Sequence, residues 1–303
     1  MIAAVAACGS NGSAAPRRFL SLGTAGTGGI YYPLGGAIAS RLSLADSNHR
    51  YTAEVTGGSV ENVNRIANGE MDFGFAMAPA VFEAYTGGRD FAEALDHLRV
   101  IAPLYPNLTH VLVPKNSDAT SIADLRGRRV SVGAPGSGTE QLARQVLEAY
   151  DITYDDVNAR YLSFRESADA LADRAIDAAI FSVGYPASAV LEATTTGGAR
   201  LLPIDTAHQA RLRERYPYYA AGTIPANAYP GVEHDIPTVQ VLNWIVATET
   251  LEAEVVWHLL TILRDQRAGL ARVNAIAKQI DLEALGDAPI PLHPETARWL
   301  GRP

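Results

Sequence analysis

The sequence predicts an α/β protein built as two lobes joined by two chain crossings. Three observations carry this expectation. A strand, glycine loop and helix occur in the same order twice, so that Gly23 recurs as Gly133 and Asp72 as Asp177, 110 and 105 positions later. The chain has 303 residues, and at roughly 150 residues per domain that is two domains, each able to bury a core. The final third has no glycine loop of its own. Its helices therefore complete the first lobe, and the chain must cross between lobes twice. The repeat is too long for a solenoid period, and strands alternating with helices imply mainly parallel sheets.

Each element follows from a local pattern. Residues 19–22 form a short strand, and Gly23, Gly26, Gly28 and Gly29 shape the loop after it. A helix opens near Ile30, with Pro33 tolerated in its first turn and Leu34, Ile38 and Leu42 at helical spacing. Residues 51–55 are the next strand. Gly57 and Gly58 turn the chain, and Ser59 is the expected N-cap. Val60, Val63, Ile66 and Ala67 form the apolar face of the following helix, which Gly69 stops. Residues 71–77 are a buried strand.

The second copy starts with strand 129–132 and the loop of Gly133, Gly136 and Gly138. Ser137 and Glu140 have capping-box spacing, so a helix begins there, with Leu142, Val146 and Leu147 facing the core. Strand 159–164 follows. Ala168, Leu171, Ala172, Ala175 and Ile176 form a helical stripe, and 177–183 is a buried strand. Beyond it come strand 201–204, an extended proline-rich stretch 223–230, a β-prone run 239–246, helices at 251–263 and roughly 269–278, a proline-rich tail 289–294 and a short last helix. The expected boundaries are a lipoprotein signal remnant and tether over 1–18, one lobe over 19–104 plus 243–303, the other over 108–238, and hinges near 104–108 and 239–243.

Composition excludes several classes of function. Lys plus Arg is 25 and Asp plus Glu is 33, a net charge of −8. Nucleic-acid affinity rests largely on phosphate neutralisation, so no nucleic-acid partner is expected. One cysteine excludes an internal disulfide, a thiolate zinc cage and a CxxC redox pair. No run of 18 apolar residues predicts a membrane-spanning helix. The apolar start Met1 to Ala7, then Cys8 and a Gly/Ser/Asn stretch, resembles the end of a bacterial lipoprotein signal whose beginning lies upstream. Cys8 is the expected lipid attachment point, further acylation is expected because one chain anchors weakly, and the location is extracytoplasmic with membrane contact only through the lipid. The bland alternative is a frayed tail with an incidental cysteine.

Both glycine loops sit where a strand ends and a helix begins. Ligands of open parallel sheets bind at that edge, and the first turn of a helix offers unpaired N–H donors and a positive dipole end to an anion. Thr24, Thr27, Ser137 and Thr139 can add hydroxyl donors. Ordinary tight turns are the competing explanation, and two loops in matching positions favour a ligand. Stricter motifs fail. Gly29 stands where a P-loop needs Lys, Tyr31 breaks a GxGxxG, and the run from Pro135 to Thr139 is not a GxSxG elbow. Seven histidines are scattered, none within four residues of another, with His110 notable only for lying near the first crossing. Asp72 and Asp177 are expected to be structural. No catalytic residue, metal ligand or cofactor is expected.

The run from Gly23 to Gly35 (GTAGTGGIYYPLG) resembles the opening loop of TAXI-type solute receptors, the binding proteins of one class of TRAP transporters. The resemblance extends through TGGSVEN at 56–62, DLRGRRV at 124–130, VGAPGSGTE at 132–140, Ile224-Pro225-Ala226, Tyr229-Pro230 and Pro291-Leu292-His293-Pro294, covering about residues 19–300. It implies a type II periplasmic-binding-protein fold and a non-enzymatic role. A small carboxylate is captured between the lobes and delivered to an ion-coupled membrane permease. It also implies that Thr24, Thr27, Gly28 and Tyr32 line the first lobe's share of the site. Ser137, Gly138 and Thr139 would hold the carboxylate, and Phe181, Ser182, Val183 and Tyr185 would form the other wall. Where family members often carry Gln-Ser-Asp, this chain has Met77-Ala78-Pro79. That departure implies an oxo or hydroxy acid rather than an amino acid, although a glutamate-like solute stays open. A sensing protein for a signalling partner is the alternative role.

Overall fold

The computed structural model describes residues 17–196 and 198–301. Cys8 and the tether after it as far as residue 16 lie outside the described residues. In chain order the elements of the first copy are β1 (Arg18–Gly23), α1 (Tyr31–Ala45), β2 (His49–Glu54), α2 (Ser59–Ala67), β3 (Phe73–Met77) and α3 (Ala78–Thr86). A 17-residue strand, β4 (Leu98–Pro114), leads to β5 (Arg129–Ser131), α4 (Gly138–Ala149), β6 (Asn158–Arg160), α5 (Phe164–Ala172), β7 (Ala178–Val183) and α6 (Ser188–Thr195). Then come β8 (Ala199–Leu202), α7 (Thr206–Arg215), β9 (Ala220–Ile224), a second long strand β10 (Ile236–Thr248), α8 (Ala253–Asp265), the short α9 (Arg267–Ala271) and α10 (Pro294–Trp299).

The strands run β2-β1-β3-β10-β4-β7-β5-β6, with β8 on β4 and β9 on β10. β1 lies parallel between β2 and β3, and β5 lies parallel between β6 and β7. The two copies thus share one local topology. The same polar lock closes each. Asp72 Oδ2 accepts from Ser21 N at 2.7 Å, and Asp177 Oδ2 accepts from Arg129 N at 2.8 Å. Both aspartates are structural, tying the third strand of a copy to its first.

β4 and β10 connect the copies as an antiparallel pair, and the two stretches read as crossings lie side by side: Gln240 faces Leu108, Val241 faces Asn107 and Leu242 faces Pro106. The register slips between Leu242 and Trp244, where Leu104 and Tyr105 share one facing position. Pro103 and Pro106 flank this bulge. Proline cannot donate to a ladder and is tolerated inside a sheet where pairing is already broken. Leu34, Ile38 and Leu42 of α1 are buried in one cluster with Leu259, Leu260 and Leu263 of α8, so the late helices pack against the first copy.

Several local expectations change. Ser59 is not the cap of α2. Gly58 is, with φ of +124°, a region that favours glycine, and Ser59 Oγ instead accepts from Met77 N at 3.1 Å. Only half a capping box forms at α4: Ser137 Oγ accepts from Glu140 N at 3.1 Å, while the Glu140 carboxylate lies 3.7 Å from Arg144. A complete box occurs at Ser163 and Glu166. The helix expected over 269–278 breaks into α9 and a 3-10 turn, Ala275–Gln279, because Asn274 caps the latter by accepting from Ile276 N. Within 223–230 the strand ends at Ile224.

His110 is fully buried on β4. Its Nδ1 lies 3.0 Å from Leu108 O and its Nε2 3.2 Å from the Tyr229 hydroxyl. Burial lowers its pKa from 6.5 to about 4, so the native ring stays neutral while an unfolded chain would take up a proton. Stability is therefore expected to be level above pH 6.5 and to fall as pH drops towards 4, by about 2–3 kcal/mol from this residue alone. Denaturant unfolding of wild type and His110→Gln at pH 7.5 and 4.5 checks this. The wild type should lose that much more stability than the variant, and parallel losses would refute it.

Candidate functional site

A cavity of about 580 Å³ opens between the two copies, at the C-terminal edges of the parallel strands. Four helix starts reach it: Ile30 and Tyr31 of α1, Gly58 and Ser59 of α2, Ser137 to Thr139 of α4, and Ser163 to Glu166 of α5. The two copies interlock crosswise around it. The first glycine loop rests on α5: a Cβ at Gly28 would lie 3.6 Å from Arg165 Cβ, and one at Gly29 3.7 Å from the Phe164 ring. The second glycine loop rests on α2, where Gly136 O accepts from both Val60 N and Glu61 N at 3.1 Å. The α2 dipole end is thus occupied by a carbonyl of the other copy. In α4 and α5 the third amide is capped by Ser137 and Ser163. The amides of Gly138, Thr139, Phe164 and Arg165 have no acceptor within their own helices.

The floor is a neutral, closely paired network. Tyr31 OH donates to Asn243 Oδ1. Asn243 Nδ2 donates to Tyr105 O at 2.6 Å and Asn107 Oδ1 at 2.9 Å. Asn107 Nδ2 donates to Ser182 O at 3.0 Å and approaches Met77 Sδ at 3.2 Å. Burial pushes the Tyr31 and Tyr105 hydroxyls well above their ordinary pKa, so both remain neutral donors. The charged lining residues are Arg165, Glu166 and Asp169, all on the exposed start of α5. Glu166 is held below the usual carboxylate range by the Ser163 hydroxyl and amide.

The structure brings together Thr27, Gly28, Met77, Ser137, Gly138, Thr139, Ser182 and Val183 around this cavity. Four expected residues are elsewhere. Thr24 is fully buried and donates to Glu54 O at 2.5 Å, tying β1 to β2. Tyr32 faces solvent, and its neighbour Tyr31 lines the cavity instead. Phe181 lies behind the wall against Phe164, with ring centroids 4.8 Å apart. Tyr185 packs against the core. Nor do Ala78 and Pro79 line the cavity, so the loss of an aspartate there says nothing about an ammonium group. The reading missed Tyr31, Ser59, Tyr105, Asn107 and the start of α5. For α5 a signal existed, the Ser-x-x-Glu spacing at 163–166.

Away from the cavity, Asp46, Glu254 and His258 come within metal-ligand distance of one another. Asp46 already accepts from Asn48 N, His49 N, His49 Nδ1 and Tyr51 OH, which fills its acceptor positions.

The fold is similar to that of MatC from Rhodopseudomonas palustris with bound malate, at TM-score 0.58 and 12% identity over 94% of this chain and 98% of that one. It is also similar to a binding-protein component of an ABC phosphonate transporter from Pseudomonas aeruginosa, at 0.54 and 12% over 88% and 80%. The alkanesulfonate-binding protein SsuA from Xanthomonas axonopodis pv. citri, bound to MOPS, matches at 0.50 and 18% over 91% and 84%. The mixed α/β fold, a central sheet flanked by helices, matches that of periplasmic binding protein structures. A family model described as NMT1-like matches residues 22–301, and the chain belongs to the NMT1-like family.

Proposed function

We propose that this chain is an extracytoplasmic solute receptor that captures a small organic anion between its lobes and delivers it to a membrane permease, and that the transporter is of the TAXI-type TRAP class. One observation carries the reading: helix starts from both lobes converge on one cavity, and those of α1, α4 and α5 present amides without an acceptor, with Arg165 at the start of α5. The site is rich in donors, which favours a carboxylate with a 2-oxo or 2-hydroxy oxygen over an amino acid, whose ammonium adds only further donors. The anions named for similar folds, malate and a sulfonate buffer, fit the same logic. The lobes on this reading are residues 19–104 with 243–303, and 108–238. They turn about the β4–β10 bulge, and Cys8 carries the lipid.

A ligand that binds only the native state raises its melting temperature with concentration. A thermal-shift screen over mono- and dicarboxylates, sulfonates and phosphonates is expected to give at least one saturable response. Ser137→Ala combined with Thr139→Ala should weaken that ligand about 10–100-fold, the worth of two lost hydrogen bonds to a charged group. Calorimetric titration of the double variant checks the number, and unchanged affinity would move the anion elsewhere.

A further inference from the structure

We infer that the solute carries a single carboxylate and an uncharged, largely apolar body, so that the receptor selects against dicarboxylates. The inference rests on the receptor reading above and concerns what fills the same cavity. The one lining cation, Arg165, lies at the start of α5 and has no ion-pair partner among the described residues, and the uncapped amides of α4 and α5 belong to the same copy, whereas the start of α1 offers the uncapped Tyr31 and Tyr32 amides without a cation. A carboxylate head belongs beside Arg165. The remainder of the ligand must then extend over the floor, where Ile30, Tyr31, Met77, Tyr105 and Val183 are all at most 8% exposed and none carries charge.

The floor's polar groups do not change this. Both N–H bonds of Asn243 and both of Asn107 are directed at protein acceptors, and the Tyr31 hydroxyl donates to Asn243. An amide has two N–H donors and a phenol one, so these groups have none left. The exception is the Tyr105 hydroxyl. It lines the cavity, its residue is 1% exposed, and it bonds to no described residue. One neutral hydroxyl suits a carbonyl, hydroxyl or ether oxygen on the body. Neither it nor the neutral α1 amides bring a positive charge to offset the desolvation of a second buried carboxylate. Asp169, one turn along α5 from Arg165, adds repulsion to any second negative charge that stays at the rim. The volume agrees, since about 580 Å³ is in the range of sites for drug-sized ligands.

The test uses the full chain and acids matched in length: 2-oxohexanoate against 2-oxoadipate, which differ only in a terminal methyl or carboxylate, with phenylpyruvate as a bulkier body. The expected result is that 2-oxohexanoate and phenylpyruvate raise the melting temperature and bind at least tenfold tighter than 2-oxoadipate. Arg165→Gln should weaken both at least tenfold while leaving the ligand-free melting temperature unchanged. Equal or tighter binding of 2-oxoadipate overturns the inference and leaves the receptor reading standing. Silence from every carboxylate, sulfonate and phosphonate overturns the receptor reading and takes this inference with it.

Discussion

Gly57→Val is expected to lower solute affinity about 100-fold without unfolding either lobe. A Cβ at Gly57 would lie 2.5 Å from Pro135 O and 2.9 Å from Glu61 Oε2. The glutamate can swing aside, but the proline carbonyl is backbone of the opposite lobe and can be cleared only by moving the lobes apart. Separation breaks the bonds from Val60 N and Glu61 N to Gly136 O. Those two bonds and the steric cost together come to about 3 kcal/mol against the closed form, or about 100-fold in affinity. On the proposed hinge motion the clash vanishes in the opened molecule, so the penalty falls on closure. Titration calorimetry reads the affinity. Small-angle scattering at saturating ligand should show the variant more extended than wild type. Gly36→Ala, on α1 where an added methyl meets nothing within 4 Å, is the control and should leave both readouts unchanged. Wild-type affinity in Gly57→Val would mean that this contact is no part of the bound state.

What could be read in the chain, and what could not, follows from how local the signal is. The glycine loops, the helix stripes and the paired aspartates are written within a few residues, and they put the loops that line the cavity at the C-terminal ends of the parallel strands. The tyrosine at 32 was a failure of phase alone. α1 buries Leu34, Ile38 and Leu42, and Tyr31 lies three and seven residues before the first two of these. Helical periodicity therefore puts Tyr31 on the inner face and turns Tyr32 about 100° away. Thr24 is expected at the site because a hydroxyl beside glycines resembles a ligand donor, whereas it has its own acceptor in β2. Tyr105, Asn107 and Asn243 had no local signature. They meet because β4 and β10 pair across more than a hundred residues of sequence, and only that pairing makes a floor.

Asn243 holds that floor together, and Asn243→Leu is expected to destabilise the protein by about 3–5 kcal/mol, since two or more buried polar groups would be left unpaired at about 1–3 kcal/mol each. Asn243 is completely buried and faces the bulge at Leu104 and Tyr105. Its amide supplies Tyr105 O with a donor that the slipped ladder does not, and its carbonyl takes the Tyr31 hydroxyl. Leucine is close in size, so the loss comes from polarity rather than from a cavity. At about 2–4 °C per kcal/mol for a protein of this order of size, the melting temperature should fall by roughly 10 °C. A merely local packing defect would give the same fall, so the decisive measurement is a double-mutant cycle with Tyr31→Phe. If the tyrosine is orphaned by Asn243→Leu, removing its hydroxyl should cost at least about 1 kcal/mol less in that background than in wild type. Additive costs would show that the two groups do not act as a pair, and the floor of the cavity would then need another support.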